Sequence, residues 1–250
     1  DVGGTFTDFV LLEDATGRVH RVASRTVVGA DGLRSTLAQM VGAETYRVGR
    51  HASGTMYGYW SGLDVEGYGW YFVPGISAAV IPTNAAQVCV SVSVPGQDFT
   101  RLFAHQPDTA FRALLSQVAP GLAAQVAGVD QRPRVPGSEG SRSRLHGFAG
   151  QIGFYRHAHG PGWALVGDAG YFKDPITAHG ISDALRDAEF LARAVERGTD
   201  QALAEYQSNR DALSHQLFEI TDAIAGFEWD LETLKPLHRT LSKVMNEEVE

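Results

Sequence analysis

Apolar and polar positions alternate differently in three stretches of this chain. Residues 6–12 and 18–28 read as extended, joined by the turn signal Glu13-Asp14-Ala15-Thr16-Gly17. Val27-Val28 then runs as a buried strand into a tight turn, and Leu33-Arg-Ser-Thr-Leu-Ala-Gln-Met-Val is a short helix ended by Gly42. From Tyr46 to Val94 the texture becomes aromatic and β-branched, punctuated by Gly, Pro and Asn. This predicts an antiparallel sheet of four strands. The segment from Phe99 to Gly128 has helical spacing interrupted by Pro107 and Pro120, so two or three short helices follow. The stretch 130–143 is turn-rich and reads as a surface loop, after which Trp163-Ala-Leu-Val166 returns to a buried strand. Residues 182–197 form a helix whose apolar face is Leu185, Ala188, Leu191, Ala192 and Val195, with Gly198 at its end. Residues 200–250 read as two or three amphipathic helices. Strand–turn–helix units therefore flank an inserted antiparallel sheet: an α/β domain interrupted by an α+β one.

Composition narrows the function classes. The 250 residues suffice for one large domain or two small ones. A net charge of -8 argues against nucleic acid, whose phosphates call for a basic face. No run of about 18 apolar residues exists, so no membrane span is expected, and the first residues lack the pattern of a signal peptide. The single cysteine, Cys89, excludes an internal disulfide and suits a reducing cytoplasm. It lies in an alternating apolar run and reads as a structural thiol. His157 and His159 share a Gly/Pro-rich stretch without further ligands at usual spacing, so no metal site is expected.

Three short stretches carry candidate chemistry. Asp1, Gly3, Gly4, Thr5 and Thr7 are residue types that cradle nucleotide phosphates, because glycines let backbone N–H groups approach an anion and the acid can hold a metal ion. Over about a dozen residues this stretch resembles the N-terminus of the hydantoinase/oxoprolinase family. No second phosphate loop or adenosine-binding segment follows it. The other two stretches are strand–turn–helix junctions. The first is Val27-Val-Gly-Ala-Asp-Gly-Leu-Arg-Ser35, with Asp31, Gly32 and Arg34 at and after the turn. The second runs from Trp163 through Gly167-Asp168 to Pro175 and Gly180. An acid at a carboxyl-terminal strand end can accept hydrogen bonds from ribose or ribityl hydroxyls, and a glycine-lined helix start offers N–H groups to an anion. Either junction by itself is a common turn.

Together, in this order and separation, the two junctions resemble the class A FAD-dependent monooxygenases, the aromatic hydroxylases related to flavin-dependent halogenases. The resemblance runs from about Glu13 to Asp211. It implies that Asp31-Gly32, with Arg34, lies near the cofactor pyrophosphate and the passing NAD(P)H. It further implies that Gly167-Asp168 holds the ribose–ribityl end of FAD, and that Pro175, Ala178, His179, Gly180 and Ile181 approach the flavin ring. The implied fold is an incomplete α/β FAD-binding domain (residues 1–45 and 156–200, a parallel sheet plus β-hairpin). An α+β substrate domain (46–155) on an antiparallel sheet is inserted in it, and helices follow over 201–250. Its implied activity is monooxygenation of an aromatic or similar small molecule, using NAD(P)H, O2 and a flavin C4a-hydroperoxide. Tyr57, Tyr59, Trp70 and Phe72 become candidates for the wall of the substrate pocket. Arg144 is a candidate for an anionic substrate, and Lys173 lies in the flavin-facing turn.

The chain departs from the family pattern in three places. Ala178 stands where glycine is usual and Ser182 where asparagine is frequent. No Gly-x-Gly-x-x-Gly follows a first strand anywhere in the 250 residues, so the resemblance implies that this segment lies upstream of Asp1 and that the chain as given binds FAD poorly. Two other expectations stand beside the flavoprotein: an ATP-dependent hydantoinase-type fragment, and a cofactor-free remnant that acts by binding a partner.

Overall fold

The computed structural model describes residues 7–13, 18–129 and 145–247. In chain order the elements open with strands β1 (Thr7–Glu13), β2 (Arg18–Ser24) and β3 (Val27–Gly29), helix α1 (Thr36–Met40) and strand β4 (Thr45–Val48). Strands β5 (Ser53–Ser61), β6 (Gly69–Val73), β7 (Ile76–Pro82) and β8 (Gln87–Pro95) follow, then helices α2 (Gly96–Phe103), α3 (Pro107–Val118) and α4 (Pro120–Gly128). Short strands β9 (His146–Phe148), β10 (Phe154–Arg156), β11 (His159–Gly160), β12 (Trp163–Leu165) and β13 (Tyr171–Phe172) lead to helices α5 (Gly180–Arg197), α6 (Asp200–Ala225) and α7 (Leu231–Glu247). The chain divides into two compact units, residues 1–49 with 153–218 and residues 50–152 with 219–250.

In the first unit β1 and β2 form an antiparallel hairpin, in register from Thr7↔Ser24 to Glu13↔Arg18. Strand β12 pairs in parallel with β3 and antiparallel with β11. A parallel pair needs a crossover, and its strands favour short apolar side chains buried on both faces. Ala164 and Leu165 of β12 meet that demand, but β3 buries only one face: Val27 is buried while Val28, read from the sequence as part of a buried strand, is 45% exposed. Helices α5 and α6 supply Leu191, Ala194, Ala202, Leu203 and Tyr206 to a core with Ala158 and Ala164. A second sheet, β13-β10-β4, is antiparallel and gathers Tyr155, Tyr171 and Phe218.

The buried face of α5 is not the one its hydrophobic spacing predicts. Asp183, Asp187, Leu191 and Ala194 point inward, whereas Leu185 is 69% exposed and Ala188, Ala192 and Val195 also face solvent. Charged partners, described below, make the inward carboxylates tolerable.

The second unit is built on a five-stranded antiparallel sheet ordered β6-β7-β8-β5-β9. Its pleat places Met56, Trp60, Ala78, Val80 and the Val88, Val90, Val92 and Val94 series on one face. There they meet Phe99, Phe103, Phe111, Leu115 and Val126 of the three helices, and Trp60 stacks on Phe111 at 5.5 Å. Burying each such valine stabilises by about 1.5–3 kcal/mol, so the period-2 pattern of β5 and β8 fixes which face the helices cover. The fifth strand, β9, was not legible as one: His146-Gly147-Phe148 is three residues long with a central glycine. Asp1, Gly3, Gly4, Thr5 and Arg144 lie outside the described residues.

Candidate cofactor-binding site

Because β3 and β12 are parallel neighbours, with Gly29 opposite Leu165 and Val166 N–H donating to Gly29 O at 2.9 Å, they end at the same edge. The turn bearing Asp31-Gly32 and the 3₁₀ turn Gly167–Ala169 therefore leave that edge side by side. Carboxyl ends of adjacent parallel strands are where open α/β sheets receive ligands.

The two acids differ in what they have left to offer. Asp31 accepts from Ser35 Oγ at 2.6 Å, Thr36 N–H at 2.7 Å and Leu37 N–H at 3.1 Å, while Ser35 in turn caps α1 through Ala38 N–H at 2.9 Å. Desolvation works to raise its pKa, but these bonds from Ser35 and the backbone outweigh it and hold the carboxyl below 3.8. Its oxygens are thus engaged by the start of α1. Asp168 reaches solvent from the 3₁₀ turn, and desolvation by its surroundings raises its pKa, with Lys173 pulling the other way. Arg156, on β10, holds the second of these turns: its Nη1 donates to Ala169 O at 2.9 Å. Burial lowers its pKa and the charge of Asp31 acts against that. Arg34 is exposed.

Gly167 is in the left-handed region, φ 57°, and a Cβ there would stand 3.3 Å from the Ala184 Cβ of α5. Glycine is needed for both reasons. From β13 the chain enters a second 3₁₀ turn, Pro175–Thr177, capped by Asp174 accepting from Ile176 N–H at 2.9 Å. Ala178 then takes φ 52°, ψ 34°, the left-handed conformation that glycine adopts without cost. His179 is the N-cap of α5 without capping through its side chain. Gly180 opens the helix on the surface and Ile181 is 80% exposed. An 18-residue helix thus presents its positive, N–H-rich end beside Gly167-Asp168.

In the second unit the register sets Trp70, Ala79, Ser91, Tyr57 and His146 in one row across the sheet. Tyr57, Tyr59, Trp70 and Phe72 share the face opposite Met56 and Trp60, but they do not form one cluster. Tyr57 stacks on His146 at 5.2 Å and meets Tyr59 edge-on at 6.1 Å. Trp70, about 14 Å away by strand spacing, pairs with Tyr68 at 6.2 Å, and Phe72 packs on Trp229 and His238 of the C-terminal segment. A separate cleft of about 430 Å³ is lined by Arg50, His51, Gln97, Gln151 and Glu228 among others, and by none of the four aromatics. Two of these residues are held by Asp222, which accepts from Arg50 N–H, His51 N–H and the His51 ring at 2.8–3.1 Å. His146, Arg156 and Asp222 escaped notice in the sequence because their partners lie up to 172 positions away. Among the described residues, no group of three or more His, Cys, Asp or Glu side chains could hold a metal ion. No helix among them is long and apolar enough to cross a membrane.

No family model matches the sequence, and no curated protein matches it. Solved structures do match. CmlS, a flavin-dependent halogenase, superposes with a TM-score of 0.70 at 17% identity over 86% of this chain and 38% of its own. A triple mutant of the flavin-dependent brominase Bmp2 gives 0.71 at 15% identity over 96% of this chain and 64% of that one. PqsL, a probable FAD-dependent monooxygenase from Pseudomonas aeruginosa, gives 0.63 at 20% identity over 96% and 66%. The fold is therefore that of flavin-dependent halogenases and monooxygenases, of whose chains this one spans about two fifths to two thirds.

Proposed function

We propose that the first unit carries the ribityl and ring side of an FAD site in a flavin-dependent monooxygenase acting on an aromatic or similar small molecule. The observation that carries this reading is the juxtaposition at one sheet edge of an outward carboxylate, Asp168, a glycine that admits close approach, Gly167, and the free start of α5. Bound there, FAD would supply oxidation by dioxygen with electrons from NAD(P)H. Asp168 would hold such a cofactor by accepting hydrogen bonds from its hydroxyls, and the first-turn N–H groups at Gly180 and Ile181 would offer donors to an electron-rich ring. Asp31 serves the site by fixing α1 and, through its charge beside Arg156, the neighbouring turn, rather than by touching the cofactor. The open aromatic face around Tyr57 and Tyr59 offers stacking surface for a flat substrate.

The test is an amide-resolved NMR titration with FAD, with Mg-ATP as a parallel probe. FAD is expected to shift the amides of Gly167–Ala169 and Gly180–Ser182, and Asp168→Ala to weaken that response about tenfold. FAD that leaves these amides unmoved at millimolar concentration would sink the reading. Mg-ATP shifts confined to residues 1–7 would point to the hydantoinase-type alternative instead.

A further inference from the structure

Lys173 and Asp183 form an ion pair whose side chains are only 2% and 4% exposed. One stands directly after β13, the other in the first turn of α5, so the pair closes the two ends of residues 174–182. Asp183 is also met by Arg186 Nη1 at 3.2 Å and approached by His179 Nε2 at 3.8 Å. Arg186 continues to the fully buried Asp187 at 3.0 Å. Two cations thus stand with two carboxylates in a dry place.

Such groups are costly to desolvate, and apolar residues of the same volume often serve stability as well or better. Stability alone therefore does not account for the pair, and its position does. The enclosed segment holds the left-handed Ala178 and the exposed helix start at Gly180 and Ile181. The same ammonium acts on Asp168, and Nζ lies 5.4 Å from the Tyr171 ring centre. The charged or titratable groups around it are thus Asp168, Tyr171, His179, Asp183, Arg186 and Asp187.

We propose that Lys173 is a positioning residue: through its buried pair with Asp183 it ties down the 174–182 turn and so fixes the exposed start of α5 beside Gly167-Asp168. The inference rests on the FAD reading for its purpose but not for its test. Lys173 is not a catalytic amine, since its ammonium is enclosed and engaged.

The experiment follows the Asp168 carboxyl by NMR against pH in the cofactor-free chain, with amide exchange over 174–182 beside it. Lys173→Met should raise the Asp168 midpoint by about 0.5 pH unit or more, and Asp183→Asn should lower it by a similar amount. Mere loosening of the fold would move both the same way, and that result would overturn the proposal. In both variants the 174–182 amides should exchange about tenfold faster or more. Should either single variant fail to fold, Lys173→Met/Asp183→Leu strands no charge. Its turn amides should still exchange faster, and exchange at the wild-type rate would show the tie to be dispensable and refute the clamp. If the titrations behave as expected but FAD never binds the wild-type chain, the clamp stands and the cofactor reading falls.

Discussion

Arg210 is 1% exposed and lies among groups that differ in what they lose if it is removed. Its Nη2 donates to Tyr46 OH at 2.9 Å, to Arg156 O at 3.1 Å and to Asp211 at 2.8 Å. Nε reaches Asp211 at 2.9 Å and Nη1 reaches Gly170 O at 3.3 Å. Arg210→Met keeps much of the stem and deletes the fork. Tyr46 and Asp211 are partly exposed and rehydrate, and Gly170 O keeps the Arg156 N–H at 2.8 Å. The main loss is the guanidinium donor to the part-buried Arg156 O, about 1–3 kcal/mol for a carbonyl left short. Asp211 is not stranded as a buried charge, so the 3–5 kcal/mol typical of that case does not apply. We expect a loss of about 2 kcal/mol, and about half that for Arg210→Lys, which keeps the charge without the fork. Urea denaturation followed by circular dichroism reads this as a lower midpoint at unchanged slope. A loss under about 0.5 kcal/mol would refute the reasoning, because water would then satisfy the part-buried carbonyl as well as the guanidinium does.

Three further outcomes are expected. Asp31→Asn should cost about 0.5–1 kcal/mol near neutrality as a weakened cap at the surface. Because the folded-state pKa of Asp31 lies below 3.8, its contribution is complete above that value and is lost as pH falls through the lower folded value. The gap between wild type and variant in urea midpoints should therefore close under acid, and a gap that widens there would contradict the cap. Ala178→Gly should stabilise by about 0.5 kcal/mol, from about 1–2 kcal/mol of left-handed strain relieved less about 0.4–1 kcal/mol of extra unfolded-chain entropy. A destabilised variant in the same urea assay would mean that Ala178 is not strained. Ala85 and Ala86 sit at φ 55° and 54° in the two-residue turn between β7 and β8, closed by Gln87 N–H on Asn84 O at 3.1 Å. Ala85→Asn with Ala86→Gly supplies the residues such a turn prefers and should raise the thermal midpoint by about 2–4 °C.

How far the sequence led depends on which residues face inward. Where apolar side chains alternate with period two, as in β5 and β8, strand, face and partner layer were legible. The Gly-Asp turns were legible as turns, but the spending of Asp31 on α1 was not, since Ser35 and the Thr36 and Leu37 amides also fit an uncapped turn in sequence. Helix α5 misled for a more specific reason. Asp183, Asp187, Leu191 and Ala194 are as regular a helical stripe as any apolar one, yet a count of hydrophobic residues discards its first half. Lys173 and Arg186 make that half fit to bury, and no local pattern announces that Lys173 turns inward. Natural chains break the hydrophobic rule where a site requires it. Here the break falls directly behind Gly167 and Asp168, with Ala184, one residue past Asp183, packed against the turn. The stripe that hydrophobic spacing misses on α5 and the candidate site thus meet in the first turns of one helix, where Ala184 packs on Gly167 and its neighbour Asp183 turns inward to Lys173.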